Sequence, residues 1–321
     1  MTGRKVVITE PIDNSGIEIL KRGAEVIYLP QLPELTLLDS IREAHALVVR
    51  VAKISRDLIE QTRNLLVIAK HGVGYDNIDV EAATQKRILV VNTPEANMES
   101  VAEHNLGLMI SLSKKICTSD RALRHSRFER QEDYIGVELK DKKLGIIGLG
   151  KVGSETAFKC KVAFNMDIIV YDPYVPKQKT DRLGYTKTEK LGDLLRESDY
   201  VVVCAPLTKA TQDLITAREL GLMKVNAFLI NSSRGGIIDE AALYDHLVKG
   251  KIAGAALDVF AHEPPSPDHL LLSLDNFIAT PHTAGVTAEA MRRMATTLAE
   301  DILRVFQRQR PRYPVNPQVY S

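Results

Sequence analysis

The sequence predicts an α/β protein built from two doubly wound parallel sheets, with one domain inserted into the other. The first observation behind this prediction is an alternation of short β-branched apolar runs with helix-length amphipathic stretches, which is typical of parallel sheets. The second is that the strand candidates fall into two sets, separated by a long apolar helix pattern. The first set occupies residues 5–9, 24–28, 46–49, 67–70 and 89–92, and the second occupies residues 145–147, 167–171, 200–204, 227–231, 253–258 and 277–279.

A glycine-rich segment follows the first strand of the second set. Gly148, Gly150 and Gly153 have the spacing G-x-G-x-x-G, and Lys151 and Val152 open a helix pattern between the last two. In such a segment the first glycine permits a sharp turn, the second lets the backbone approach a pyrophosphate, and the third lets the helix pack closely on the sheet. The phosphates would face the helix N-terminus.

An acidic residue follows the next strand at the distance expected for a ribose-binding carboxylate. Asp172 lies about 20 residues after the glycines, where such a group accepts hydrogen bonds from the adenosine ribose hydroxyls. Pro173 and Tyr174 come next, in place of a basic residue, so a 2′-phosphate would be repelled. The predicted cofactor is therefore NAD rather than NADP.

Two apolar helix patterns, residues 100–116 and 288–306, frame the second set of strands and predict the domain connectors. We expect a Rossmann NAD-binding domain at residues 98–287, inserted into a flavodoxin-like substrate domain formed by residues 1–97 and 288–321. The first set of strands has no phosphate fingerprint, so it is expected to supply substrate contacts. The cleft between the domains would be the default ligand site.

Composition excludes several classes of partner. Among 321 residues, 42 Lys and Arg nearly balance 41 Asp and Glu, so no overall field recruits nucleic acid or an acidic membrane surface. No signal-peptide pattern or membrane-spanning apolar stretch is present, so a cytoplasmic protein is expected. The three cysteines are isolated and have no metal-ligand spacing, so no metal site is expected. The tail at residues 310–314 is expected to be a surface extension.

Three segments place a polar residue directly after a buried strand pattern, which is where ligands bind in doubly wound folds. They contribute Arg234, Glu263 and His282. Reduction of a 2-keto acid needs a cation that holds the carboxylate and polarises the carbonyl, and an acid that protonates the developing alkoxide. Arg234 and His282 suit these two functions, and Glu263 could orient the imidazole and favour its protonated form. Each residue alone could equally be an ordinary surface residue, and their joint position favours an active site.

At these residues the sequence resembles the D-isomer-specific 2-hydroxyacid dehydrogenase family, over essentially the whole chain. Besides the glycine-rich segment, the matching pieces follow one another at residues 72–79, 97–104, 204–207, 232–235, 262–264 and 281–285. The resemblance implies hydride transfer between NAD and a small 2-hydroxy acid, with an active site at Arg234, Glu263 and His282. It also implies a homodimer built largely through the nucleotide domain.

The resemblance further implies which residues contact the cofactor and the substrate. The implied NAD contacts are Gly148, Gly150, Lys151, Val152, Gly153, Asp172, Ala205, Pro206, Ser232, Ser233, Arg234, Asp258, His282, Ala284 and Gly285. Backbone N–H groups of Val73 and Gly74 are expected to bind the substrate carboxylate together with Arg234 and His282.

The residues around Lys70 bear on which substrate is used. The N-terminal region is similar in character to phosphoglycerate dehydrogenases, in which a segment like Val49-Arg50 and a basic residue at the position of Lys70 precede the substrate loop. Lys70, with His71 beside it, could pair with a second anionic group such as a phosphate or sulfonate. Equally, Lys70 could extend from its strand end into solvent. The family usually has Arg and a small residue here, and we expect a protein without the C-terminal regulatory domain of many phosphoglycerate dehydrogenases.

3-Phosphoglycerate is therefore placed slightly ahead of hydroxypyruvate, glyoxylate and sulfolactate. A function of another class is also compatible, because some relatives act as NAD-sensing protein-binding modules, notably transcriptional co-repressors. The lack of a disordered extension or basic patch argues against that function. Formate and alanine dehydrogenases fit less well, since a formate enzyme is expected to have a Gln-His pair whereas Glu263 supplies a carboxylate.

Overall fold

The protein folds as two compact units. The computed structural model describes residues 3–29, 40–125, 128 and 130–320. Unit 1 comprises Met1–Asn97 and Val286–Ser321, and unit 2 comprises Met98–Gly285. The chain thus returns to unit 1 at Val286, where the sequence suggested residue 288.

The strands in the described residues form one sheet in each unit, and all of their pairings are parallel. Unit 1 has a five-stranded sheet of order β2-β1-β3-β4-β5 and unit 2 a seven-stranded sheet of order β12-β11-β10-β9-β6-β7-β8. The strands are β1 (Lys5–Ile8), β2 (Glu25–Tyr28), β3 (Ala46–Val49), β4 (Val67–Lys70), β5 (Leu89–Val91), β6 (Lys143–Ile147), β7 (Asp167–Tyr171), β8 (Thr186–Thr188), β9 (Tyr200–Val203), β10 (Phe228–Asn231), β11 (Gly254–Leu257) and β12 (Phe277–Ala279). The predicted fold class, two doubly wound parallel sheets, is confirmed, since the first order is that of flavodoxin-like sheets.

Helices connect these strands. They are α1 (Asn14–Lys21), α2 (Arg56–Glu60), α3 (Val80–Gln85), α4 (Met98–Ser113), α5 (Ile116–Arg124), α6 (Lys151–Phe164), α7 (Lys177–Leu183), α8 (Leu191–Glu197), α9 (Ala217–Leu220), α10 (Glu240–Val248) and α11 (Ala288–Phe306). Short 3-10 helices occur at Gln131–Tyr134, Leu270–Ser273 and Pro317–Tyr320.

The inner strands are buried on both faces, which explains their continuous apolar runs. In unit 1, alternate side chains enter two separate cores: Val7, Leu47 and Ile68 pack on one face of the sheet, while Val6 and Val48 pack on the other. Burying each such side chain contributes about 1.5–3 kcal/mol. Each inner strand is therefore held in place because the side chains on both of its faces are buried.

Two local details differ from the sequence prediction. The edge strand β8 was missed because its sequence, Thr-Lys-Thr, has no apolar run and pairs with β7 alone. The helix predicted over residues 100–116 is observed as α4, which ends at Ser113 because Lys115, with a left-handed φ of 52°, separates it from α5.

The prediction that the tail is a surface extension was also wrong. Pro314 forms an antiparallel bridge with Val91, and the following residue donates its N–H to the Val90 carbonyl at 2.8 Å. The side chain of Asn316 is fully buried, accepts from the Val90 N–H at 2.7 Å and donates to the Ile88 carbonyl at 2.9 Å. The tail therefore covers the exposed edge of β5, which would otherwise present unpaired backbone groups.

In unit 1, the carboxylate of Glu10 anchors the loop that follows β3. It accepts backbone N–H bonds from Arg50 and Val51 at 2.7 Å and from Ala52 at 2.6 Å, and a hydroxyl bond from Thr9 at 2.6 Å. Burial raises the pKa of Glu10, but these hydrogen bonds outweigh burial and hold the pKa below its usual value. The charge of Glu10 therefore stabilises the folded loop.

Glu10→Gln should lower the free energy of unfolding at neutral pH by about 1–2 kcal/mol, because an amide oxygen accepts weaker hydrogen bonds than a carboxylate. Since the folded-state pKa of Glu10 lies below its unfolded value, this contribution is complete above the unfolded pKa and is lost as pH falls through the folded pKa. The Tm gap between the two proteins should therefore close on acidification, which circular dichroism can follow from neutral pH down to about pH 3.5.

The control is Glu18→Gln, because Glu18 forms only an exposed pair with Lys21 and its loss should change Tm little. A Tm gap for Glu10→Gln that stays constant or widens in acid would contradict the anchoring role.

Candidate active site

The glycine-rich loop of unit 2 joins β6 to α6. Gly148 has φ +93°, and a Cβ there would lie 2.8 Å from the Cys204 carbonyl oxygen. At Gly153 a Cβ would lie 2.1 Å from the Gly148 carbonyl oxygen, so the helix packs against the turn. A Cβ at Gly150, just before α6, would meet no atom within 4 Å. Two glycines are thus required by the fold, whereas the third faces open space at a helix N-terminus, where a phosphate group fits.

Asp172 lies at the end of β7 and is fixed beside this loop. One carboxylate oxygen accepts the N–H of Leu149 at 2.8 Å, and the other accepts the N–H groups of Tyr174 at 2.9 Å and Val175 at 3.2 Å. The carboxylate remains half-exposed. The oxygen that binds Leu149 has a further lone pair, so the group is preorganised to accept a hydrogen bond from a sugar hydroxyl.

The loop after β10 carries Arg234 and is folded by the side chain of Asn231. The Asn231 amide donates to the Arg234 carbonyl at 2.8 Å and accepts the Ser233 N–H at 2.9 Å. A Cβ at Gly235 would lie 1.9 Å from the Phe260 carbonyl oxygen, so only glycine lets this loop abut the one after β11. This close approach sets Arg234 beside the segment that contains Glu263.

Glu263 and His282 form a directly bonded pair. The imidazole Nδ1 lies 2.7 Å from Glu263 Oε2, and Oε1 of the same carboxylate accepts the Phe260 N–H at 3.1 Å. Burial raises the pKa of Glu263, but the hydrogen bond and charge of His282, the Phe260 N–H and the charge of Arg234 together hold that pKa below its usual value. The ionised form of the Glu263 carboxylate is thus favoured by both His282 and Arg234.

Asp258 follows β11 and holds the His282 loop from beneath. Its carboxylate is shielded from solvent, with a relative exposure of 1% for the residue. It accepts the Thr280 hydroxyl at 2.6 Å and the N–H groups of Thr283 at 2.8 Å and Ala284 at 2.9 Å, and the main-chain carbonyl of Asp258 accepts the His282 N–H at 2.8 Å. These contacts stabilise the left-handed φ of 54° at His282, a conformation that costs energy in a residue with a side chain.

Most of the predicted cofactor and catalytic residues therefore lie at one edge of the unit 2 sheet. The strands β10, β11 and β12 are neighbours, and the carboxyl ends of parallel strands meet at the same edge. Ala205 and Pro206 follow β9. The backbone nitrogen of Ala205 lies close to Gly148, since a Cβ at Gly148 would be 3.2 Å from it. Sequence reasoning missed the supporting contacts of His104, Asn105 and Thr280, although His104 belongs to a segment that carried the family resemblance.

In unit 1, Lys70 lies at the end of β4 and is already hydrogen-bonded within the protein. Its ammonium group donates to the Arg50 carbonyl and to Asn77 Oδ1, the latter at 2.7 Å. The Arg50 guanidinium in turn donates to the Pro11 carbonyl at 3.1 Å. Lys70 therefore does not simply extend into solvent.

His71 is buried, with only 5% of its surface exposed, and neither ring nitrogen reaches a hydrogen-bond partner among the described residues. Burial, followed by the positive charge of Arg50, lowers the pKa of His71 to about 4, with a smaller contribution from Lys70. The imidazole is therefore neutral near pH 7, and two cations lie close enough to affect it. The adjoining loop is held by Asn92, whose side chain donates to the Val73 carbonyl at 2.7 Å.

Other kinds of site are not evident in the part of the chain that the structure describes. There, no group of three or more His, Cys, Asp or Glu side chains is arranged to hold a metal ion. Every helix in the same residues is too short or too polar to cross a bilayer.

Comparison with known proteins identifies the family. The profile of the NAD-binding domain of D-isomer specific 2-hydroxyacid dehydrogenases matches residues 106–284. The chain therefore belongs to this family, and most of unit 2 is its NAD-binding domain. The open space at Gly150 and the fixed carboxylate of Asp172 fit such a cofactor.

Individual relatives cover nearly the whole chain. A D-3-phosphoglycerate dehydrogenase of Methanocaldococcus jannaschii is 43% identical over 94% of this chain, which spans only 57% of that relative. A hydroxypyruvate reductase of Thermotoga maritima is 40% identical over 95% of this chain and 99% of its own length. The solved D-lactate dehydrogenase of Aquifex aeolicus, complexed with NAD and lactic acid, superposes with a TM-score of 0.82 at 29% identity, over 95% of this chain and 96% of that one.

The glycine loop yields a matched pair of variants. Gly150→Ala should fold with the wild-type Tm but bind NADH at least about 10-fold more weakly, because the methyl group enters the space that suits a phosphate. Gly153→Ala should instead lower Tm, because its Cβ cannot lie 2.1 Å from a carbonyl oxygen. NADH fluorescence titration and thermal unfolding separate the two effects. Wild-type NADH affinity in Gly150→Ala would rule out a phosphate at this position.

Proposed function

We propose that the protein is an NAD-dependent D-2-hydroxyacid dehydrogenase, an oxidoreductase that acts on the CH–OH group of a small 2-hydroxy acid. The observation that carries this proposal is the convergence of Arg234, Glu263 and His282, with the bonded carboxylate–imidazole pair at 2.7 Å. A cation, a proton donor and an orienting carboxylate are the groups that interconversion of a 2-keto and a 2-hydroxy acid requires.

Each group has a distinct function in this proposal. Because Glu263 engages Nδ1 of His282, Nε2 is the ring nitrogen that exchanges a proton with the substrate hydroxyl. Glu263 stabilises the imidazolium that exists before the proton is given or after it is taken. Arg234 holds the substrate carboxylate and polarises the carbonyl oxygen. Bound NAD supplies or accepts the hydride at substrate C2.

The cofactor is proposed to be NAD rather than NADP. The carboxylate of Asp172 is fixed by three backbone N–H groups beside the glycine loop, so it cannot easily turn away from a ribose. A fixed negative charge repels a 2′-phosphate, whereas it accepts hydrogen bonds from two free hydroxyls.

The proposed substrate pair is 3-phosphoglycerate and 3-phosphohydroxypyruvate. Arg50 and Lys70 both contribute positive charge at His71, which indicates a local field that suits a second anionic group. We propose that these three residues contact the far end of the substrate and that Val73 and Gly74 bind its carboxylate. The similarity to the archaeal phosphoglycerate dehydrogenase agrees with this substrate.

Hydroxypyruvate or glyoxylate is the second candidate, and sulfolactate is a further anionic alternative. The hydrogen bonds from Lys70 to the Arg50 carbonyl and to Asn77 favour the smaller substrates, because they occupy donors that a phosphate would need. The full-length similarity to a hydroxypyruvate reductase points the same way.

We also propose a homodimer formed through unit 2. That unit exposes large apolar side chains around and after α5 and on α6, which a partner surface would cover: Leu123 (62% exposed), Phe128 (90%), Ile135 (71%), Phe158 (56%) and Val162 (70%). Light scattering should give a mass of two chains, and Phe128→Asp with Ile135→Asp should shift it toward one. A single-chain mass for the wild type would contradict the dimer.

The catalytic proposal is tested by NADH and NADPH oxidation with five keto acids: 3-phosphohydroxypyruvate, hydroxypyruvate, glyoxylate, pyruvate and sulfopyruvate. Wild type should turn over at least one of them with NADH preferred, and His282→Ala should lower kcat by about 10²–10⁴-fold. The matched control is His262→Ala, an exposed imidazole next to Glu263, which should keep the wild-type rate. NADH binding without turnover of any acid would favour an NAD-sensing protein-binding module, the alternative of another class.

The same panel tests the substrate proposal through Lys70→Met. If Lys70 binds a phosphate or sulfonate, kcat/KM should fall by about 10-fold or more for the dianionic acids and little for glyoxylate. Lys53→Met, which removes an exposed cation from the same unit, is the control. An equal loss on monoanionic and dianionic acids, or no loss, would exclude that function of Lys70.

A further inference from the structure

Two adjacent side chains of α4 are not used by the proposed reaction, yet each reaches a loop that carries a reacting group. His104 contacts the loop after β12, which contains His282. Asn105 contacts the loop after β10, which contains Arg234. Both contacts lie within unit 2.

The His104 contact begins a directed chain of hydrogen bonds. Its Nε2 lies 3.1 Å from the Thr280 hydroxyl oxygen, and that hydroxyl donates to Asp258 Oδ1 at 2.6 Å. Because the one hydroxyl hydrogen is used on Asp258, His104 must be the donor to Thr280 through Nε2–H. Burial lowers the pKa of His104, and Asp258 only partly offsets this effect, so the ring is a neutral donor. The chain therefore has a single polarity, which strengthens each bond in it.

This chain of hydrogen bonds ends at the backbone of residues 282–284. Asp258 binds the N–H groups of Thr283 and Ala284 through its carboxylate, and the N–H of His282 through its main-chain carbonyl. The left-handed backbone of His282 depends on these contacts. Hydrogen bonds therefore link His104 to the backbone of His282 without any direct contact between the two side chains.

The Asn105 contact anchors the other loop. Asn105 is fully buried, accepts the Ser232 hydroxyl at 2.6 Å and donates to the Thr156 hydroxyl of α6 at 3.1 Å. Ser232 belongs to the short loop that Asn231 folds around Arg234. Asn105 therefore ties the Arg234 loop to two helices at once.

We propose that His104 and Asn105 are positioning residues that together set the separation of Arg234 and His282. Neighbouring residues of one helix turn form a rigid support, so the two loops share a common reference even though they follow different strands. The cation and the proton donor are thereby held at the spacing of one substrate molecule. This inference rests on the proposed functions of Arg234 and His282.

The two contacts predict different kinetic defects. His104→Leu should lower kcat about 10-fold with little change in the KM for the keto acid, because small errors in the position of a reacting group reduce rate steeply. His104→Gln, which can place an N–H donor near Thr280, should recover most of that rate. Asn105→Leu should instead raise the KM for the keto acid about 10-fold, since Arg234 holds the substrate carboxylate.

The matched control is His246→Leu. His246 is a buried histidine of unit 2, whereas His104 is half-buried, and among the described residues the His246 ring bonds only the Ala242 carbonyl of its own helix, at 2.8 Å. It should lower Tm about as much as His104→Leu and leave kcat unchanged. If folded His104→Leu keeps the wild-type kcat, or loses no more than His246→Leu, the positioning role is wrong.

A readout that does not need turnover comes from NMR of the histidine rings in the intact protein. The His282 signals are those that disappear in His282→Ala. In His104→Leu these signals should shift and broaden, and in His246→Leu they should not. Unmoved His282 signals in His104→Leu would overturn the inference even in an inactive protein, whereas failure of the proposed function would appear separately, as wild type without turnover on any acid.

Discussion

Asp258 carries a carboxylate that is shut off from solvent at the end of β11, and three donors from the next loop surround it. A buried polar group of this kind is tolerated only when it is hydrogen-bonded, so the loop is constrained to place its donors around Asp258. That arrangement forces His282 into a left-handed backbone conformation. The backbone geometry of His282, the residue proposed to exchange the proton, thus follows from the hydrogen bonds of one buried carboxyl group.

The pair of Glu263 and His282 is built differently, because both side chains keep substantial exposure to solvent. Their attraction alone is screened by water and would contribute little to stability. The pair is held in place by its loops: Phe260 fixes one oxygen of Glu263, and Asp258 fixes the backbone of His282. Partial exposure leaves the imidazole accessible to a substrate, while the buried supports supply its orientation. The buried residues Asp258 and Phe260 thus supply rigidity, and the partly exposed pair of Glu263 and His282 supplies access.

The two units have the same kind of parallel sheet but different loops at the ends of their strands. In unit 2 the glycine loop opens a helix toward empty space, which suits the phosphates of a dinucleotide. In unit 1 the end of β4 carries Lys70 and His71, and Glu10, which follows β1, occupies the backbone donors of the loop after β3. The polar side chains at the strand ends therefore differ between the two units, whereas the apolar strands make the two sheets alike.

The sequence by itself determined both parallel sheets, the glycine loop, Asp172 and the three residues Arg234, Glu263 and His282. Each of these leaves a local trace, because β-branched runs mark buried strands and ligand-binding residues follow strand ends. The strand β8, the break at Lys115, the docking of the tail on β5 and the contacts of His104 and Asn105 were decided only by the tertiary structure. The physical reason is that a polar edge strand or a buried hydrogen bond joins segments distant along the chain, and its partner cannot be read from the residues on either side.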